Sequence, residues 1–120
     1  MLTLESTKRV FEYWQDNFAR IYIEIYDDEP DECIFTHLWV DEDFRQMGYG
    51  GQVLSEAEEK ARELGCGVAY IKVETNSWMH AWYIRCGYRL YKDTDDDYTW
   101  LVKKLELNNK IIIIFYGKQV

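Results

Sequence analysis

The segment from Cys33 to Val73 constrains the fold most, because it reads as strand, loop, helix and strand in succession. Cys33 to Val40 is apolar at nearly every position, which predicts a central strand covered on both faces. Gly50 to Leu64 carries apolar residues at helical spacing, which predicts a helix with one buried face. Gly65 is placed to end that helix, and Val68 to Val73 predicts the next strand.

Strands are also predicted on both sides of this unit. Ala19 to Tyr26 alternates apolar and polar residues, as a strand with one buried face does. Lys8 to Trp14 fits either a strand or a helical stripe, and we favour a strand that turns at Asp16 and Asn17 into the next one. The early part of the chain therefore predicts antiparallel strands.

The later part predicts a short helix followed by a hairpin. Ser77 to Arg85 is the helix, and Gly87 is placed to stop it. Tyr88 to Lys92 and Tyr98 to Lys103 are strands joined by an acidic turn. The fold class is therefore α/β: a mixed central β-sheet flanked by helices, in a single domain over residues 1–120.

Charge limits the partners and the surface contacts. The net charge of -8 argues against a nucleic-acid partner and suits a cationic small molecule or a basic peptide, although solubility alone explains it equally well.

Glu56 precedes Lys60 by four residues, and Glu58 precedes Arg62 by four. This spacing predicts two ion pairs on the helix surface.

Cysteines and apolar runs indicate the compartment. The three cysteines form no CxxC pair, which fits a reducing cytoplasm better than a disulfide framework. The start of the chain has no run of signal-peptide length. The longest apolar run, Ile111 to Tyr116, is too short to span a bilayer. We expect a cytoplasmic protein with no membrane partner.

The loop from Val40 to Leu54 has the features of an anion site. The first turn of a helix has backbone amides without internal partners, and phosphate oxygens can satisfy them. Gly48 and Gly50 would let the backbone approach a pyrophosphate closely, and Arg45 could add a cation. The complete dinucleotide and Walker A patterns are absent. Taken alone, two glycines would fit an ordinary strand–loop–helix corner.

Two motifs together resemble a known family. Arg45-x-x-Gly48-x-Gly50 is similar to the cofactor motif of the GNAT superfamily of N-acetyltransferases. Asn76-x6-Tyr83-x3-Gly87-Tyr88 resembles a second segment of that family, in the right order and spacing. The resemblance covers residues 33–105 and leaves 106–120 as a carboxy-terminal extension. It implies an acetyl-CoA-dependent transfer of an acetyl group to a primary amine of a small molecule or peptide.

The resemblance also implies a role for each matched position. The pantetheine arm would pair with the backbone of Leu38, Trp39 and Val40. The pyrophosphate would lie on the amides that follow Arg45. Asn76 would contact coenzyme A near the pantetheine, and Tyr83 would protonate the leaving thiolate. The resemblance implies no metal. The backbone amides that would hold the pyrophosphate are those of Gln46, Met47, Gly48, Tyr49, Gly50 and Gly51.

Tyr83 also has a chemical case of its own. Acyl transfer from a thioester to an amine expels a thiolate, and a phenol with a pKa of about 10 can donate the proton it needs. Without the motif spacing, Tyr83 would be interpreted as one core tyrosine among ten. We interpret Cys86 as a packing residue. The general base stays open among water and four side chains, Glu24, His37, Glu74 and His80.

The chain departs from the family at its start. Only 32 residues precede Cys33, so the helices that usually cover the acceptor site are expected to be absent or supplied by a partner. Ile111 to Tyr116 has high β-propensity and no proline, which predicts a strand that needs a partner. We expect a homodimer paired through this segment. Two alternatives remain open: a non-catalytic module that binds coenzyme A, and an interaction protein that keeps the fold.

Overall fold

The computed structural model describes residues 7–93 and 97–105, which form one six-stranded sheet with two helices. The elements are β1 (Lys8–Gln15), β2 (Ala19–Tyr26), β3 (Glu32–Val40), α1 (Tyr49–Glu63), β4 (Val68–Glu74), α2 (Trp78–Arg85), β5 (Arg89–Asp93) and β6 (Tyr98–Lys104), with a 3-10 turn at Glu42–Phe44. The order of strands across the sheet is β1-β2-β3-β4-β6-β5. This is the predicted mixed α/β architecture, and the segment that fitted either a strand or a helix forms the strand β1.

The sheet consists of two antiparallel halves joined by one short parallel contact. β1, β2 and β3 are antiparallel neighbours, and so are β4, β6 and β5. β3 and β4 run parallel and pair only through Glu32–Val68, Cys33–Ala69 and Ile34–Tyr70. After these pairs the two strands have no backbone partner in each other, so the sheet opens between their carboxyl ends.

Both helices pack on one face of the sheet, which holds the apolar core. Ile21, Ile23 and Ile25 of β2 are fully buried there, together with Val53 and Ala57 of α1. The alternate residues of β2 point to the second face and are only half-buried. No described helix covers that second face. The prediction that β3 is covered on both faces is therefore wrong, because its cover comes from one side only.

A buried ionic contact ties α1 to the second half of the sheet. Glu58 is 5% exposed, accepts a hydrogen bond from the Tyr88 hydroxyl at 2.7 Å, and lies 3.1 Å from the Lys103 Nζ. Lys103 also donates to the Cys86 carbonyl at 3.0 Å. The predicted surface pair with Arg62 is therefore wrong: Glu58 faces the core, where a buried carboxylate needs a close cation and donors.

The other predicted helix pair is wrong as well. Glu56 accepts a hydrogen bond from the Tyr13 hydroxyl on β1. Lys60 pairs with Glu63, three residues later, at 3.3 Å. Sequence spacing identified acids and bases that could meet on a helix surface, but it could not show that the sheet offers Glu56 a closer partner.

The described part of the chain places a hairpin before β3. β1 and β2 are joined directly through residues 16–18, and no helix precedes β3 in residues 7–93. This agrees with the expected lack of amino-terminal helices. No helix in the described ranges is long and apolar enough to cross a membrane. The segment from Ile111 to Tyr116, predicted to be a strand, lies outside the described residues.

Candidate functional site

A cleft opens where β3 and β4 separate, and its volume is about 590 Å³. The end of β3, the start of α1 and one side of α2 form its walls. The cleft therefore joins an unpaired strand edge to the amino terminus of a helix. Its lining residues are Leu38, Trp39, Val40, Phe44, Arg45, Gln46, Gly48, Gly50, Gly51, Trp78, Met79 and Trp82.

Helix α1 begins at the cleft without a side-chain cap. Its N-cap is Gly48, whose φ of 87° is in the left-handed region that glycine adopts most easily. The first helical hydrogen bond runs from the Gln52 amide to the Gly48 carbonyl at 3.1 Å. The amides of the first turn precede that bond and have no helical acceptor. They are available to an anion, and the helix dipole favours negative charge there.

The backbone of β3 offers a hydrogen-bonding edge to the same cleft. The Asp41 amide donates to the Phe18 carbonyl at 2.6 Å on the β2 side. Backbone groups alternate between the two edges of a strand, so the amide and carbonyl of Val40 point into the cleft. The Arg45 Nε donates to that Val40 carbonyl at 2.9 Å. Arg45 is thus held against the strand end, at the turn that leads to α1.

A β-bulge shapes this end of β3. Arg20 pairs with Trp39, but Tyr22 pairs with Thr36, so β3 carries one extra residue between these pairs. His37 has a φ of 56° within the extra stretch. Such a bulge bends a strand and changes the direction of its side chains. It lies at the point where β3 leaves β4, so it contributes to the opening of the cleft.

The two glycines at the start of α1 have different surroundings. A Cβ atom at Gly50 would lie 3.5 Å from the Trp82 ring and 3.8 Å from Val40. A Cβ atom at Gly51 would have no neighbour within 4 Å. Gly50 therefore allows α1 to approach α2 and β3, whereas Gly51 faces open space in the cleft.

The cleft brings together most of the residues predicted to bind coenzyme A, but not all of them. Met47 is 63% exposed outside the lining. Tyr49 turns away and packs on Phe18, with ring centres 4.5 Å apart. Asn76 and Tyr83 do not line the cleft either. The predicted residues that do line it are Leu38, Trp39, Val40, Arg45, Gln46, Gly48, Gly50 and Gly51.

Asn76 lies in the turn that starts α2. Its φ is 60°, a conformation that asparagine tolerates well. Its backbone amide donates a hydrogen bond to the His80 Nδ1 at 3.0 Å. Ser77 is the N-cap, and its hydroxyl accepts a hydrogen bond from the His80 amide at 3.1 Å. The local contacts of Asn76 are those of a helix-starting turn.

Tyr83 lies behind the lining of the cleft. It is 5% exposed, and its ring packs edge-on against Trp82 at 5.0 Å and Tyr88 at 5.7 Å. Burial raises the pKa of the Tyr83 hydroxyl well above its ordinary value of about 10. The phenol therefore stays protonated at neutral pH, which is the form a proton donor needs.

The sequence reasoning missed the aromatic side of the cleft. Trp78, Met79 and Trp82 of α2 line it, as does Phe44 of the 3-10 turn. A usable signal was present, since Trp78 and Trp82 are four residues apart and share one helix face. Trp78 is 73% exposed, which is unusual for tryptophan and agrees with a place at the mouth of a site.

The four candidate bases lie in different environments. Glu24 accepts a hydrogen bond from Thr36 at 3.0 Å and pairs with Lys8 at 3.3 Å. His37 is exposed at the bulge, with its ring 5.1 Å from that of Tyr22. Glu74 is exposed at the end of β4. His80 is half-buried, and its Nδ1 accepts from the Asn76 amide. None of the four lines the cleft.

The described part of the chain contains no cluster of metal-binding side chains. Residues 7–93 and 97–105 contain no group of three His, Cys, Asp or Glu side chains that could hold a metal ion. The three cysteines are free thiols. Burial raises the pKa of the Cys86 thiol, which keeps it protonated and agrees with a packing role.

Solved structures of acetyltransferases share this fold. One from Thermus thermophilus is 22% identical, with a TM-score of 0.67, over 81% of this chain and 64% of that one. One from Bacillus cereus is 24% identical, with a TM-score of 0.60, over 82% and 73%. One from Bacillus subtilis, in complex with CoA, is 19% identical, with a TM-score of 0.66, over 82% and 78%.

A family model settles the relationship that these structures leave at the level of fold. No curated protein matches the chain. The chain also spans only 64–78% of the length of the three structures above. The model of the acetyltransferase (GNAT) family, however, matches residues 10–88, from β1 to the residue before β5. The chain therefore belongs to the GNAT family of acetyltransferases, whose cofactor is acetyl-CoA.

Proposed function

We propose that this chain transfers an acetyl group from acetyl-CoA to a primary amine of a small molecule or peptide. The observation that carries the proposal is the cleft itself. It joins the open backbone edge of β3 to the uncapped amino terminus of α1. A ligand with an amide-containing arm and a pyrophosphate matches both features at once.

The residues fit this ligand by their backbone chemistry. The amide of Val40 can donate to a carbonyl of an amide arm, as it would to an added strand. The first-turn amides from Tyr49 to Gly51 can donate to the pyrophosphate oxygens. Bound acetyl-CoA supplies the activated acetyl group as a thioester. Arg45 holds the strand end in place and adds positive charge beside the turn.

Calorimetry with coenzyme A tests the proposal. Gly51→Glu adds a carboxylate in the cleft, where its Cβ meets no neighbour, so like-charge repulsion acts without a steric clash. Gly67→Glu is the matched control, because its Cβ also has open space and it lies outside the cleft. We expect wild type and Gly67→Glu to bind, and Gly51→Glu to bind at least about 100-fold more weakly. No heat from the wild type at millimolar coenzyme A would refute the proposal.

Tyr83 is the proposed general acid. Support comes from its protonated state at neutral pH and from its contact with Trp82, which lines the cleft. Tyr83→Phe should lower kcat about 100-fold or more, with little change in coenzyme A affinity. Tyr70→Phe is the control, because Tyr70 lies on β4 at the closed end of the sheet. Wild-type turnover by Tyr83→Phe would leave Tyr83 as a core residue.

The alternative is a module that binds coenzyme A without turnover, or an interaction protein. The second face of the sheet favours both of these alternatives, because no described helix covers it. Release of thiol from acetyl-CoA across a panel of amines distinguishes these functions. Turnover with any amine supports the enzyme, while cofactor binding without turnover on the whole panel supports the module. An interaction protein would show neither.

Homodimerisation and a cytoplasmic location complete the proposal. The dimer rests on the apolar segment Ile111 to Tyr116, which has the composition of a strand in need of a partner. Light scattering on the chain and on a version ending at Leu107 tests it. A monomer at tens of micromolar would contradict the dimer. A truncated protein that stays dimeric would contradict this segment as the contact.

A further inference from the structure

Arg20 is a cation held among aromatic rings on the second face of the sheet. Its guanidinium carbon lies 5.7 Å from the centre of the Trp14 ring, and 5.3 Å from the rings of both Tyr22 and Trp39. Trp14 and Trp39 flank Arg20 as its partners on β1 and β3. The rings hold the guanidinium by cation–π contact, which orders a long side chain before any ligand arrives.

This cation lacks an anion within the described part of the chain. Its Nε is buried and has no hydrogen-bond partner. The acids on the same face of β1 and β2 are engaged elsewhere: Glu12 accepts from the Trp14 Nε1 at 3.2 Å, and Glu24 pairs with Lys8. Asp41, beyond the end of β3, accepts from the Asp43 amide. Of the guanidinium nitrogens only Nε is buried without a partner, so a bound anion would pair with the terminal nitrogens.

The position of Arg20 connects it to the cleft. Trp39 lines the cleft, and its ring also contacts Arg20. Paired strands are about 5 Å apart, so Arg20 is one strand behind the cleft wall. The described helices pack on the first face of the sheet, which leaves the second face as the open approach to the gap between β3 and β4. Arg20 lies on that face, at the open end of β3.

We propose that Arg20 binds a carboxylate of the acceptor, so that the substrate is an amine that also carries a carboxylate, such as an amino acid. This inference rests on the proposed function. A guanidinium can hold a carboxylate through two parallel hydrogen bonds, which fixes the orientation of the amine as well as its position. An acceptor with one amine and one carboxylate has no net charge, so the overall charge of -8 does not repel it.

Pairs of ligands that differ only in the carboxylate test this assignment. The pairs are histidine with histamine and arginine with agmatine, measured by calorimetry with and without saturating coenzyme A, and by kcat/KM. Wild type should prefer the carboxylate member by about 10- to 100-fold, the range expected for hydrogen bonds to a charged group. In Arg20→Gln the ratio should fall to about one. Phosphoethanolamine with ethanolamine tests a phosphate in place of the carboxylate.

Control variants separate recognition from packing. Arg9→Gln removes the same charge from an arginine that lies near one aromatic ring, Phe11, on β1. It should keep the wild-type ratio. Arg20→Lys keeps the charge without the two-pronged geometry, and should retain part of the preference. If Arg20 has a purely structural role, Arg20→Gln would lower the stability of the protein but would leave the affinity ratio between the paired ligands unchanged.

The possible outcomes distinguish this inference from the proposed function. Equal affinity of wild type for both members of each pair overturns the assignment, even if amines are acetylated. A preference that survives in Arg20→Gln overturns it too, as does a preference for phosphoethanolamine alone. Carboxylate-specific binding without any turnover supports Arg20 as the binding residue and contradicts the enzyme.

Discussion

Helix α1 begins at an uncapped glycine, whereas α2 begins at a serine that closes its own first turn. In α2 the Ser77 hydroxyl accepts a hydrogen bond from the His80 backbone amide. The His80 Nδ1 accepts one from the Asn76 backbone amide. In α1 the N-cap Gly48 has no side chain to offer. A protein normally satisfies these amides with a cap. The contrast shows which terminus is structural and which is available to a ligand.

The largest expected effect concerns the buried anchor of α1. Lys103→Met leaves the Glu58 carboxylate buried without its cation, which should cost about 3 kcal/mol or more. Chemical denaturation measures the loss. Lys104→Met is the control, because Lys104 is exposed and the change should cost less than about 0.5 kcal/mol. Equal stability of both variants would mean that α1 does not depend on this contact.

The next effect tests the open helix start. Gly48→Ala places a Cβ on a residue with a φ of 87°, which should cost about 1–2 kcal/mol and weaken coenzyme A binding by distorting the turn. Gly67→Ala is the control, since no left-handed φ holds Gly67 and its Cβ has open space. Thermal melting and calorimetry give the two readouts. An unchanged melting temperature and affinity in Gly48→Ala would argue against a turn built around glycine.

Loss of the side-chain cap of α2 should change the stability of the protein but not its affinity for coenzyme A. Ser77→Ala removes the cap of α2 and should cost about 1 kcal/mol of stability, while coenzyme A affinity should stay within about twofold. Ser55→Ala, on an exposed position of α1, should cost nothing measurable. A large loss of affinity in Ser77→Ala would place both helix starts in the binding site and remove the contrast between them.

The smallest effect is a dependence on alkaline pH. A hydrogen bond to Glu56 of α1, together with burial, raises the pKa of Tyr13 to about 12. The folded protein therefore keeps a proton that the unfolded chain loses above pH 10. Stability from this contact is complete below pH 10 and should decrease as the pH rises toward 12. Tyr13→Phe should flatten that decrease in denaturation curves. A slope identical to that of wild type would mean that this phenol does not cause it.

Sequence reasoning predicted the order of elements because hydrophobic periodicity reports directly on local structure. The alternation in β2 and the apolar stripe of α1 each placed an element within one residue of its observed bounds. Periodicity could not show where a side chain meets another element. Glu58 follows the pattern of a surface acid, yet it points to Lys103, which is far away in the sequence.

The site was predictable where backbone features define it and less so where side chains do. Gly48 and Gly50 were identified because a glycine, which has no Cβ, lets the backbone approach a pyrophosphate closely. Tyr83 matches a motif by spacing, but the structure places it behind Trp82, outside the cleft lining. Arg20 was visible in the sequence as an outward residue of β2. Only the sheet register revealed its two tryptophan neighbours on adjacent strands.

The short contact between β3 and β4 makes amide hydrogen exchange a direct report on occupancy. Three residue pairs join the two halves of the sheet, so the backbone amide of Val40 is exposed to solvent exchange on the cleft side. A bound arm that pairs with β3 would protect this amide and link the two halves across the opening. Ligand binding should therefore slow exchange at Val40 before it changes exchange at Cys33, where the strands are already joined.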